Sequence, residues 1–174
     1  MHFLGREYLT PDQLLREIED ELYISNGRIA ITELSVRLNV DYVHCESKAH
    51  QLSRQSQGEI SLVLGQLISK QFKDLLAQEI DLKLQENGLI NLNDFIKSYD
   101  LPSDFIENVI TERLGTIVHG KQDQNDAKII LTEEYLSQFQ SRICGVLSGC
   151  TKPISIQTLI SKYKFPERIF NSKK

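Results

Sequence analysis

The chain has 174 residues, 40% of them hydrophobic and 25% charged, with a formal net charge of −4. That is the composition of a soluble, folded protein of one ordinary domain or a few small ones, and the acidic balance argues against whole-surface binding of a polyanion. No apolar run approaches the roughly 18 residues that cross a membrane, Met1-His2-Phe3-Leu4-Gly5-Arg6 lacks the features of a signal peptide, and three cysteines at unrelated spacings suit a reducing cytosolic or nuclear compartment better than a disulfide framework.

The elements follow in chain order. Arg6-Glu7-Tyr8-Leu9 reads as a strand running into a helix start at Thr10-Pro11, with Gln13 placed for a capping box. Leu14, Ile18 and Leu22 then form the buried stripe of an amphipathic helix. Gly27 follows, where a helix C-terminus needs tolerance of positive φ. Ile29-x-Ile31 reads as a very short strand, and Thr32 as the cap of a second helix that turns Leu34 and Leu38 inward. A third helix follows, and Ile60 to Ile68 is strand-like with Gly65 as a kink or turn.

The order then repeats. Leu76/Ile80/Leu84 is the next stripe, Gly88 the next helix end, Ile90-x-Leu92 the next strand, Asn93 the next cap, and Phe95 and Tyr99 the next inward pair. Pro102 marks a turn before a third helix with Val109, Ile110 and Leu114 as core positions. Gly115-Thr116-Ile117-Val118 and Lys128-Ile129-Ile130-Leu131 read as wing strands around a polar loop from Gly120 to Asp126. Phe139/Ile143/Leu147 is a third stripe, followed by Ile154, Ile156, Leu159, Tyr163 and Phe165.

One spacing ties the copies together. Apolar residues at offsets 0, 2, 5, 9 and 11 start at Ile29, Ile90 and Ile154, each six or seven residues after its stripe. Helix, short strand, helix, helix, hairpin is the winged-helix order. The expected fold is therefore mainly α with small β-hairpin wings, in tandem winged-helix repeats with partial modules at both ends. Residues 1–9 are the closing strand of an incomplete winged helix, 10–69 and 70–131 are two winged helices, and 132–174 is a truncated one. A module of roughly 60 residues is marginal alone, so a neighbour or partner is expected to support it. Phe3, Leu4, Tyr8 and Leu9 are the expected partner-binding residues, because an incomplete wing leaves backbone donors and acceptors unpaired. The same strand could instead pair with this chain's own wing or with another copy.

A search for chemistry yields no catalytic, cofactor-binding or metal-binding residues. His44-Cys45 is the adjacent His/Cys pair, but neighbours on a helix point about 100° apart, so Cys45 reads as a structural thiol. Cys144 and Cys150 read as packing residues. His44 and His50 are six apart and cannot hold one metal from one helix face. The run Glu17-Ile18-Glu19-Asp20-Glu21 reads as a solvated helix face. Winged helices raise the question of DNA, which the third helix reads in the major groove. Here Asp41, Glu46, Lys48 and Arg54 sum to zero in the first module, and Asp104, Glu107, Glu112 and Arg113 to −2 in the second. Lys121 and Lys128 of the second wing face Asp123 and Asp126. From Thr151 onward, Lys152, Lys162, Lys164, Arg168, Lys173 and Lys174 against Glu167 give +5, leaving −9 for the rest. Only that basic end leaves room for the alternatives of a nucleic-acid-binding tandem winged helix. A thioester on Cys45 would mark a cysteine-dependent transferase.

Particular stretches resemble a known family. Glu7-Tyr8-Leu9-Thr10-Pro11, Leu62-Val63-Leu64-Gly65-Gln66-Leu67-Ile68, Tyr99-Asp100-Leu101-Pro102, Glu112-Arg113-Leu114-Gly115 and Leu159-Ile160-Ser161-Lys162-Tyr163 are similar to the N-terminal winged-helix region of the ubiquitin-fold modifier (UFM) protein ligase. So is the pattern from Gly27-Arg28-Ile29 through Asn39-Val40-Asp41. Lys164 departs, where the family carries glycine. The resemblance spans the whole chain and implies a scaffold-type ligase without a catalytic cysteine, the cysteine chemistry belonging to the conjugating enzyme. It implies a DDRGK-motif adaptor that completes the first winged helix, ribosome-associated substrates, the cytosolic face of the endoplasmic reticulum without membrane insertion, and no cofactor. The family's helix that engages the conjugating enzyme is expected to precede this sequence, so the segment alone is expected to be inactive.

Overall fold

The computed structural model of the protein describes residues 10–124 and 126–163. Expectations that fall on residues 1–9 or 164–174, including Phe3, Leu4, Tyr8 and Leu9, the basic residues from Lys164 onward, and Phe165, lie outside the described residues.

The chain is mainly α with small antiparallel wings. Helix α1 (Pro11–Ile24) starts on the expected capping box, Thr10 accepting from the Gln13 amide at 3.3 Å while the Gln13 side chain accepts from the Thr10 amide at 3.0 Å. Strand β1 (Arg28–Ala30), helix α2 (Ile31–Arg37), helix α3 (Tyr42–Gln55), and strands β2 (Ile60–Val63) and β3 (Gln66–Ser69) complete the first winged helix. The stripe Leu14, Ile18 and Leu22 is buried with Ile29, Ile31, Leu34, Cys45, Ala49, Leu52 and Leu67 in one core. Full burial of an aliphatic side chain of this size contributes roughly 1.5–3 kcal/mol, so three on one helix suffice to fix its rotation.

Helix α4 (Lys70–Asn87), strand β4 (Leu89–Asn91), helix α5 (Leu92–Tyr99), helix α6 (Ser103–Thr111), and strands β5 (Lys121–Gln122) and β6 (Ile129–Leu131) repeat the order. The chain divides into two compact units between Leu76 and Ala77, inside α4. In the second unit Ile80, Leu84, Ile90, Leu92, Phe95, Ile106, Val109, Ile110, Ile129 and Ile130 are buried.

The two sheets are built alike. Their orders are β1-β3-β2 and β4-β6-β5, all antiparallel. In each, the residue that ends the wing donates its backbone N–H to the glycine carbonyl at the end of the preceding helix: Ser69 to Gly27 at 2.7 Å and Thr132 to Gly88 at 2.9 Å. Both glycines have positive φ, +83° and +73°. A Cβ on Gly27 would sit 2.2 Å from Ser69 Oγ, and one on Gly88 2.8 Å from the Tyr135 ring. The same two residues also cap the next helix, Ser69 Oγ accepting from the Phe72 amide and Thr132 Oγ1 from the Tyr135 amide. Thr10 therefore stands at the head of α1 as Ser69 stands at α4 and Thr132 at α7 (Glu133–Ser148).

Several local expectations are corrected. Thr32 and Asn93 are not the caps of the second helices. Those helices begin one residue earlier than the expected caps, and Ala30 and Asn91, the last strand residues, hold the cap positions. Asn91 caps with its side chain, whereas Ala30 cannot. The two first amides are instead satisfied from the wings, Ile31 donating to Gly65 O at 2.9 Å and Leu92 to Lys128 O at 2.8 Å. Gly115 to Val118 is not a wing strand. Gly115 has φ +81°, and the amides of Ile117 and Val118 both return to Arg113 O, so the segment closes a turn that buries Val118. The second wing's outer strand is the polar pair Lys121–Gln122. Leu114 lies beyond α6 and is half-buried.

The third copy departs most. None of α7's residues is buried, and Leu147 is exposed. Ile154-x-Ile156 repeats the spacing of the short strands in the first two copies but forms no strand; helix α8 (Ile156–Tyr163) starts there instead, with Leu159 buried and Ile156 exposed.

The glycine contact yields a prediction. Gly27→Ala combines positive φ with a clash and should lower the unfolding free energy by about 3 kcal/mol. Gly58→Ala, at φ +94° with open space around its Cβ, should cost only about 1 kcal/mol. Urea titration of the two variants checks this; equal losses would remove the close approach from the account.

Candidate functional site

The titratable and nucleophilic residues singled out in the sequence do not converge. Cys45 is fully buried in the first core, its thiol 4.0 Å from Val40 O, while its neighbour His44 is exposed. Burial, and then the nearby Asp41 carboxylate, push the Cys45 thiol pKa up. A nucleophilic cysteine needs a depressed pKa and an accessible sulfur; this one has the opposite of both. Cys144 is exposed and Cys150 half-buried. His50 is exposed on α3. Among the described residues no group of three or more His, Cys, Asp or Glu is placed to hold a metal ion, and no helix is long and apolar enough to cross a membrane.

What the modules present instead are outer faces, and their electrostatics can be read contact by contact. In a groove-reading winged helix, free cations on the third helix and the wing neutralise phosphates. Here the second wing's lysines are engaged by carboxylates: Lys121 meets Glu133 at 2.6 Å, and Lys128 approaches Glu107 of α6 at 3.9 Å. The Lys121 hydrogen bond holds the Glu133 carboxyl below the ordinary glutamate range. Arg113, which the sequence places with the third helix, turns inward. It is buried and donates to Val109 O at 3.3 Å and to Glu112 at 3.2 Å. Asp104 and Glu112 are left exposed on that side. On the second module's outer face the cations of the third helix and wing are thus matched by neighbouring carboxylates, with Asp104 left exposed.

The first module differs. Its α3 exposes His44, Ser47, His50 and Arg54, with Glu46 and Lys48 half-buried. Its wing turns tightly through Leu64 and Gly65, both at positive φ (+49° and +72°), and Leu64 is exposed at the tip. This is a two-residue hairpin turn of the kind that matches strand twist, with leucine in a place that favours asparagine or glycine. Sequence reasoning also passed over Tyr23, Ile24, Val36 and Val43, all exposed. The signal was available: each lies off the buried stripe of its own helix.

Comparison with known proteins adds the family. The profile described as E3 UFM1-protein ligase 1 matches residues 3–173. E3 UFM1-protein ligase 1 of Danio rerio is 42% identical over 168 residues, covering 97% of this chain and 21% of the relative. The Mus musculus protein of that name is 39% identical over the same shares, and the Trichoplax adhaerens homolog is 40% identical over 96% of this chain and 21% of its own length. The chain thus spans about a fifth of the length of the curated relatives it matches. A solved structure, the mRNA-binding domain of elongation factor SelB from E. coli in complex with SECIS RNA, aligns with 69% of this chain and 97% of that chain at a TM-score of 0.41 and 15% identity.

The buried thiol makes a pH prediction. A thiol whose folded pKa is raised favours folding in its protonated form. That contribution is fully present below the unfolded pKa of about 8.5 and is lost as pH rises from there through the folded value. Unfolding free energy should therefore fall between neutral and alkaline pH, and Cys45→Ala, although less stable throughout, should show a shallower fall. Identical slopes in the two proteins would mean that Cys45 is not held as a buried thiol.

Proposed function

Because the chain belongs to the E3 UFM1-protein ligase 1 family, we propose that it is a protein-docking scaffold segment of such a ligase. In this reading the parent protein directs transfer of the ubiquitin-fold modifier from its conjugating enzyme to substrate lysines, and the reacting cysteine belongs to the conjugating enzyme. The segment works with a DDRGK-type adaptor at the cytosolic face of the endoplasmic reticulum, and its modules run 1–9, 10–69, 70–131 and 132–174.

The observation that carries the docking role is the neutralised wing. With Lys121 and Lys128 held by Glu133 and Glu107, and Arg113 turned inward, the second module offers a polyanion little to bind. A face whose lysines and arginine are already matched by carboxylates suits a protein partner better.

The place of the adaptor is argued from Thr10. Ser69 and Thr132, which hold the equivalent capping position, each end a wing strand that returns to a glycine carbonyl. By analogy with Ser69 and Thr132, we propose that residues 3–9 pair as a closing wing strand with the adaptor's own winged-helix half. Phe3, Leu4, Tyr8 and Leu9 supply its side chains. Completing a sheet in this way is strand addition, in which main-chain hydrogen bonds give affinity and alternate side chains give specificity.

Saturating the chain with the adaptor's C-terminal domain should raise its melting temperature, by about 2.7 kcal/mol of linkage when the ligand stands at a hundred times its Kd. Tyr8→Asp together with Leu4→Asp should abolish the shift. An unchanged melting curve with saturating adaptor would remove this segment from adaptor docking.

A further inference from the structure

We infer that the second winged helix carries a docking groove along the open edge of β4, which takes an extended, lysine-bearing protein segment by strand addition. The residues concerned differ from residues 3–9, all lie in the second unit, and go beyond the reading above.

The edge follows from the register. β4 is an outer strand whose partner in the sheet is β6. Thr132 donates to Gly88 O and Leu92 donates to Lys128 O. In an antiparallel ladder the residues that exchange hydrogen bonds with the partner strand alternate. Gly88, Ile90 and Leu92 therefore turn their backbone groups towards β6, and Leu89 and Asn91 turn theirs outward. The Asn91 carbonyl is taken up by the first turn of α5, where Asn91 is the N-cap. The N–H and C=O of Leu89 and the N–H of Asn91 are left, and among the described residues none of these three has a backbone partner.

A cavity of about 380 Å³ lies against that edge. Leu89 and Asn91 line it together with Lys83 and Asn87 of α4 and Asp94 and Phe95 of α5, so the open edge borders a formed groove. Its wall is held in place from within the unit. Lys83 meets Glu79 at 3.0 Å and lies 4.6 Å from the centre of the Phe95 ring, and Glu79 also accepts from the Tyr99 hydroxyl. These contacts tie α4 to α5, so little ordering remains to be done when a ligand arrives.

Backbone and charge select the occupant. An extended main chain supplies the alternating donors and acceptors that Leu89 and Asn91 lack. A helix spends those groups internally, and a nucleic acid binds through its phosphates. Two charged side chains line the groove. Lys83 is already held by Glu79, whereas Asp94 is exposed and makes no ion pair among the described residues. A lysine on the incoming strand meets that carboxylate.

The test uses the whole chain and a short fluorescein-labelled peptide of alternating valine, threonine and lysine, with affinity read by anisotropy and amide exchange by NMR. Bound peptide should slow exchange at Leu89 and Asn91 by about tenfold or more. The same peptide methylated on all its backbone nitrogens should not bind. Asp94→Lys, and separately a peptide with glutamate in place of lysine, should each weaken binding about tenfold. The proposal is overturned if the peptide does not bind at millimolar concentration, if Leu89 and Asn91 exchange unchanged in the bound chain, or if the methylated peptide binds equally well. It is overturned too if Asp94→Lys and the glutamate peptide both leave the affinity unchanged. A dimer of this chain in sedimentation, with Leu89 and Asn91 already protected before any peptide is added, would also overturn it, because the edge would then pair with a second copy.

Discussion

Each winged helix in this chain depends on one backbone contact, the hydrogen bond from the residue that ends the wing to the glycine carbonyl that ends the preceding helix. Ser69 meets Gly27 and Thr132 meets Gly88. A three-residue strand has too few ladder bonds to hold a hairpin in register by itself. Placing a glycine where the first helix stops lets the chain turn through positive φ and lets the wing come close enough to bond. The same Ser or Thr then caps the helix of the next module. One residue thereby closes one unit and opens the next, which is how a spacing of single residues becomes a tandem architecture.

That economy explains what the sequence made legible. The stripes Leu14/Ile18/Leu22 and Leu76/Ile80/Leu84 are readable because burial on one helix face imposes a period, and every one of those six side chains is buried. Gly27, Gly88 and Gly65 are readable because their backbone conformations exclude most other residues. The caps of the second helices were misplaced because Ala30 and Asn91 serve the strand and the helix at once, and the amide of Ile31 is satisfied by Gly65, 34 residues away in sequence. No local pattern encodes such a bond. The second wing was misread for a related reason. Ile117 and Val118 have strand composition but a turn's hydrogen bonds, whereas Lys121 and Gln122 pair with β6 despite their polarity.

The candidate site was less legible than the fold. Charge sums found the acidic second module, but only coordinates show Lys121 and Lys128 paired and Arg113 turned inward. Tyr23, Val36 and Val43 lie off the buried stripes of their helices, which is the one signal of their exposure that the sequence carries. Function then follows from faces rather than from a pocket. A buried thiol, engaged cations and exposed apolar side chains suit the docking role proposed for this segment.

Amide hydrogen exchange across residues 3–9 of the chain, with and without the adaptor's C-terminal domain, tests the central claim of an opening strand completed by a partner. The account predicts exchange slowed by about a hundredfold or more on addition of the domain, the protection expected of newly formed sheet hydrogen bonds at roughly 3 kcal/mol of local stability. Unchanged exchange at those residues, with protection appearing elsewhere in the chain, would contradict it.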